Sequence, residues 1–139
     1  MIITVDLASL AEMPPLRFAP PSSFSDDALL DFCRRNETLR IERTAEGDIL
    51  LMPPAGGESS NRNAEITRQL GNWGAQIGTG VVFDSSGGFT LPNGAMRSPD
   101  AAWIARARLA TLSGAEREKF LPLCPDFVVE LLSLSLIHI

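Results

Sequence analysis

At 139 residues with 45% hydrophobic side chains, the chain is one domain's worth of polypeptide, long enough to bury a core. Its net charge of -5 argues against holding nucleic acid by bulk electrostatics, although an acidic metal site subtracts charge that a bound cation restores. No apolar stretch approaches the length that spans a bilayer, and Met1 to Asp6 carries no basic region ahead of a hydrophobic segment, so a cytoplasmic protein is expected.

The first 22 residues are proline-rich, with Pro14-Pro15 and Pro20-Pro21, and read as an arm along the surface. Ser25 then stands as an N-cap before Asp26, Asp27 and an apolar stripe, which predicts a helix over 26–35. In Thr38 to Arg43, Leu39 and Ile41 alternate with polar neighbours as a half-buried strand requires. Glu46-Gly47-Asp48 turns the chain into Ile49 to Met52, giving a hairpin. Pro53 to Gly57 ends it.

Ile66, Leu70, Trp73 and Ile77 recur at helical spacing and predict an amphipathic helix from Glu58 to Ile77. Glu58, Arg62, Glu65 and Gln69 share its more polar side, so Glu58 or Glu65 either faces a functional site or is simply solvated. Val81-Val82-Phe83 reads as a strand, with Gly87 to Leu91 as its hairpin partner and Pro92-Asn93-Gly94 as a turn. A buried strand follows over Ala101 to Ile104, then a short surface helix or helical loop over 109–120, and a last strand over 127–132.

That last strand carries the most informative residue. Glu130 interrupts the apolar run Phe127 to Leu132, which reads as a strand covered on both faces, where an ionised carboxylate is costly unless a cation or donor offsets its lost hydration. Asp126 lies four residues earlier on the same strand, about 13 Å away at the usual rise. A single hard cation does not bridge that gap easily. Asp100 opens the other buried strand and can meet Glu130 if the two strands are neighbours, making a divalent-cation site. Otherwise Glu130 points to a sheet edge or pairs with an arginine such as Arg97. Cys33 and Cys124 are far apart, form no CxxC pattern, and are expected to be buried free thiols.

The end of the chain, Leu134 to Ile139, lacks turn chemistry and resembles an in-frame translation of transposon-end sequence used in sequencing libraries. It is expected to be a non-native tail, with the native chain cut near Ser133, and His138 is given no role. The resulting organisation is an arm over 1–22, a domain over 23–133 and a tail over 134–139.

A set of motifs, in order, carries a resemblance: Leu39-Arg40-Ile41-Glu42-Arg43, Gly47, Met52-Pro53-Pro54, Gly56-Gly57-Glu58, Asn63-Ala64-Glu65, Gly88-Phe89, Leu91-Pro92-Asn93-Gly94, Ser98-Pro99-Asp100-Ala101-Ala102-Trp103 and Cys124 to Leu131. Over about residues 22 to 133 the chain resembles the Uma-type family of restriction-endonuclease-like proteins, within the PD-(D/E)XK nuclease superfamily. The resemblance implies an α+β fold with a mixed sheet flanked by helices, incomplete at the C-terminus. It implies hydrolysis of DNA phosphodiester bonds with Mg²⁺ held by Asp100 and Glu130, Glu58 as a third candidate, and a possible homodimer. The superfamily places a lysine two residues after the second carboxylate, where this chain has Leu132, and the chain stops before any helix that could carry a basic substitute. A catalytically inactive nuclease-fold module, binding or regulatory, is the competing expectation.

Overall fold

The Ser25 hydroxyl accepts a hydrogen bond from the Ala28 amide at 3.2 Å. Acidic Asp26 and Asp27 fill the first turn and basic Arg34 and Arg35 the last, so helix α1, Asp26–Arg35, has the cap and the charge order its macrodipole favours. The computed structural model describes residues 15–22 and 24–132. Most of the expected arm and all of the expected tail lie outside the described residues.

Within the proline-rich stretch, Leu16–Phe18 forms strand β1. Strands β2 (Arg40–Arg43) and β3 (Ile49–Met52) make the expected hairpin, with Gly47 at a φ of +96° in the turn. Helix α2 runs Gly57–Ile77 and ends at Gly78 in the left-handed conformation. Strand β4 (Gly80–Asp84) follows, then β5 (Phe89–Thr90), β6 (Met96–Arg97) and β7 (Ala101–Ala105). Two short helices, α3 (Arg106–Leu109) and α4 (Gly114–Arg117), occupy the region read as helical loop, and β8 is Phe127–Val129.

The class is α+β, as the sequence suggested. The strands divide between two sheets, ordered β1-β3-β2-β6-β5 and β4-β7-β8, and every ladder is antiparallel. The one parallel contact among the described residues is the isolated bridge between Phe89 and Leu121.

The expected hairpin between the 81–83 and 87–91 segments does not form, because β4 and β5 belong to different sheets. Local chemistry explains the divergence. The Asp84 carboxylate accepts from the Ser86 amide at 3.0 Å and closes a tight turn. Gly88 then passes under Phe120, where any Cβ would overlap the ring. Leu121 bonds to both sides of Phe89, through Thr90 N–H to Leu121 O at 2.9 Å and Leu121 N–H to Gly88 O at 3.0 Å. These contacts peel β5 away from β4 and toward β6.

Two cores result. Leu29, Ile41, Ile49, Leu51 and Met96 pack beneath α1, with Leu16, Phe18 and Phe32 around them. Phe89, Ala102, Ile104, Leu109 and Leu121 form the second. Because side chains alternate along a strand, Ile41 points into the first core while Arg40 and Glu42 share the other face of β2.

Helix α2 lies on β4 and β7, but rotated from the expected stripe. Trp73 and Ile77 are 42% and 45% exposed, and Gly74 is what turns toward the sheet. A Cβ at Gly74 would sit 3.0 Å from Val82, so the glycine sets how closely helix and sheet approach. The last strand also differs from expectation. It ends at Val129, and Phe127 and Val128 are about half exposed, so the run around Glu130 is not covered on both faces.

Candidate functional site

The site lies where β6 leaves the larger sheet and β7 enters the smaller one, across Ser98-Pro99-Asp100. All three residues are buried, and Asp100 is 4% exposed. Register does the rest. Ala101 pairs with Val129 and Ala102 with Val128, so one further step of the same antiparallel ladder sets Asp100 opposite Glu130. The Leu131 amide seals the pairing by donating to Asp100 Oδ2 at 2.6 Å.

Two carboxylates directly opposite on neighbouring strands repel each other. Arg40, at the start of β2, answers that repulsion. Its Nη1 lies 3.2 Å from Asp100 Oδ1, and its Nη2 lies 3.3 Å from Glu42 Oε1 and 3.5 Å from Glu130 Oε2. The same Nη2 also donates to the Ser98 carbonyl. Glu42, 8% exposed, is held further by Arg97 at 3.1 Å and by the Ser98 amide at 3.1 Å. From α2, Asn63 Nδ2 donates to Asp100 Oδ1 at 3.4 Å, while Asn63 Oδ1 is buried with no donor.

The arginine-pairing alternative is therefore realised, by Arg40 rather than Arg97, in the same cluster that brings Asp100 to Glu130. Glu130 is half exposed at the rim. Partial burial pushes its carboxyl above the usual range, the Arg40 charge pulls it back, and the charges of Asp100 and Glu42 push it further up.

Glu58 is 77% exposed and pairs with Arg62 one turn along α2. Glu65 is committed to Arg68 and Gln69, whose hydrogen bonds hold its carboxyl down at about 2. Asp126 stands apart, as its position on the strand implied. It accepts from the Ala105 amide at 2.9 Å and from Arg108 at 2.7 Å, and both bonds lower its carboxyl below the ordinary range.

Sequence reasoning missed Arg40, Glu42 and Asn63. A signal existed for the first two: a cation and an anion two residues apart lie on one face of a strand whose other face is core. Asn63 carried only its place in the Asn63-Ala64-Glu65 motif, since a polar residue near the start of a long helix is ordinarily solvated.

An all-oxygen donor set of carboxylates and one free amide oxygen suits a hard divalent cation. Among the described residues, however, no three acidic, histidine or cysteine side chains converge on an ion-sized point. The guanidinium of Arg40 stands between the carboxylates. Leu132 is 71% exposed and offers no charge.

Among the described residues no helix is long and apolar enough to cross a membrane. Both cysteines are free, Cys33 partly buried and Cys124 exposed, the latter against the expectation of burial. No curated protein matches the chain. One protein-family model does, over residues 26–137: Uma2, described as "putative restriction endonuclease". That match spans most of the sequence, and the chain belongs to the Uma2 restriction-endonuclease-like family.

Proposed function

We propose that this chain is a divalent-metal-dependent endonuclease that hydrolyses DNA phosphodiester bonds, with Asp100 and Glu130 as the metal-holding pair. The observation that carries the reading is the apposition of Asp100 and Glu130 one step past the β7–β8 ladder, at the junction of the two sheets. Restriction-endonuclease-like families generally use divalent metal ions, and we take Mg²⁺ as the ion here. When bound, it would polarise the scissile phosphate and lower the pKa of a coordinated water.

The chain's own residues do the positioning. The Leu131 amide and Asn63 fix the orientation of Asp100. Half-exposed Glu130 faces solvent, where a phosphate can approach. Arg40 is a positive charge beside the carboxylates, in a site whose lysine position is occupied by Leu132. Glu58, the third acidic candidate, is paired with Arg62 on α2 and has no contact with Asp100 or Glu130. The domain over 23–133 belongs to the same reading, with Leu16–Phe18 of the expected arm joined to it as a strand paired with β3. So do a cytoplasmic setting and a homodimer, the latter checked by sedimentation velocity, where a single species near 15.0 kDa counts against it.

The test is cleavage of supercoiled and linear duplex DNA with Mg²⁺ or Mn²⁺. Wild type is expected to cut and to stop on chelation, with Asp100→Asn and Glu130→Gln each at least about 100-fold slower, since each removes a metal-holding charge. One observation favours a second reading, a catalytically inactive nuclease-fold module. Arg40 and Arg97 already offset most of the charge of the acidic cluster, so the fold holds together there without a metal. Absence of cleavage with both ions would select that reading.

A further inference from the structure

We propose that Arg40 is the built-in counter-cation of the acidic cluster, and that a divalent ion enters only by displacing its guanidinium from between Glu42, Asp100 and Glu130. The inference rests on the metal-site reading above and adds a residue and a competition that reading does not contain.

Geometry distinguishes Arg40 from the other arginine pairs of this chain. Arg43 meets Asp26 at 2.6 Å and Arg17 meets Asp48 at 2.7 Å, both at the length of a strong charge-assisted hydrogen bond. Arg40 instead divides itself among three carboxylates at 3.2, 3.3 and 3.5 Å. None of the three is held in the bidentate fork that makes arginine–carboxylate pairs strong. Its Nε is buried with no acceptor, an unreturned desolvation cost. The guanidinium is shared among three carboxylates and the Ser98 carbonyl, and its Nε has no acceptor.

Its removal takes a donor from the Ser98 carbonyl and leaves the carboxylates of Glu42 and Asp100 bonded. Glu42 keeps Arg97 and the Ser98 amide, and Asp100 keeps the Leu131 amide and Asn63. Glu130 would lose its arginine but already faces water. The Arg40 side chain is 29% exposed, so its fork has a route outward along the rim. What departs is one positive charge, and what enters must return at least one. A divalent cation meets that requirement and is small enough to draw the carboxylates together.

Calorimetric titration of the full chain with Ca²⁺, compared with Arg40→Gln, tests the competition without reading activity. The variant is expected to bind Ca²⁺ about tenfold tighter or more, to melt lower without metal, and to gain more melting temperature than wild type at saturating Ca²⁺. Displacement is read on the wild type by side-chain ¹⁵N NMR of the Arg40 guanidinium, assigned through Arg40→Lys, so the test stands even if Arg40→Gln fails to fold. The resonance is expected to shift and its rotation to quicken on saturation. Equal or weaker Ca²⁺ binding by a folded Arg40→Gln, or an unmoved Arg40 signal at saturation, overturns the inference while leaving the metal site intact. No Ca²⁺ binding by wild type or variant overturns both the inference and the metal-dependent reading.

Discussion

Asp100 is where a single atom set does the most. It is almost fully buried and accepts from Arg40, Asn63 and the Leu131 amide. Asp100→Ala strands those donors and leaves Arg40 with less charge to face. Removing one partner of a buried pair typically costs roughly 3–5 kcal/mol. We expect the lower part of that range here, since Arg40 can turn to water, and urea unfolding of the variant is the check. A midpoint at or above wild type would mean that repulsion from Glu130 outweighs those bonds. The carboxylates were legible in the sequence because each sits in or beside an apolar run, where charge is anomalous. Arg40 and Glu42 carried a weaker signal, opposite charges on one face of a half-buried strand, which is easily taken for an ordinary solvent face.

Helix α2 and strand β4 both approach Trp103 on β7 closely. Gly80 lies so near the indole that any Cβ there would overlap the ring, and Gly74 on α2 also abuts it. Trp73 completes the contact, edge to face with Trp103 at 5.5 Å between centroids. Gly80→Ala is therefore expected to destabilise by roughly 1–3 kcal/mol, the cost of overpacking. It should also shift tryptophan emission, since Trp103 must move. A variant with wild-type stability and unchanged emission would show that the ring yields freely. The helix itself was legible from periodicity, but its rotation was not. Trp73 counts as apolar in any stripe, and only the presence of Gly74 beside Val82 lets the backbone, rather than a large side chain, face the sheet.

At the scale of the whole molecule, the two sheets share their packing. Phe120 packs on the first core while Leu121, its neighbour, belongs to the second. Phe89, in the larger sheet, is central to the second core and stacks edge to face on Phe83 of β4. Such continuity predicts one cooperative transition. Both tryptophans report on the smaller sheet and α2, while Cys33 reports on α1 and the larger sheet. Burial pushes the Cys33 thiol up to about 11, so in the folded protein at pH 8 it is neutral and slow to alkylate. The same shift adds stability that is complete below the ordinary thiol range and is lost as pH climbs through about 11. In a Cys124→Ser background, urea curves from tryptophan emission and from Cys33 labelling are expected to coincide. Separate midpoints would mean that the sheets unfold independently.

The sequence by itself determined what depends on near neighbours. The Ser25 cap, the α1 charge order, the turn at Gly47, the period of α2 and the Pro92-Asn93-Gly94 turn are set within a few residues, and the structure has each of them. Glu130 was singled out in the same local way, although the run around it is half exposed rather than covered on both faces. Beyond the β2–β3 hairpin, tertiary structure decided which strands became neighbours, because pairing depends on contacts far apart in the chain and on where each strand bends away. Asp84 and Gly88 sent β5 to the other sheet, and the β7–β8 register set Asp100 against Glu130. Arg40 reached them from 60 residues before Asp100. No local pattern encodes that meeting; it follows from two sheets being joined through the buried link Ser98-Pro99-Asp100.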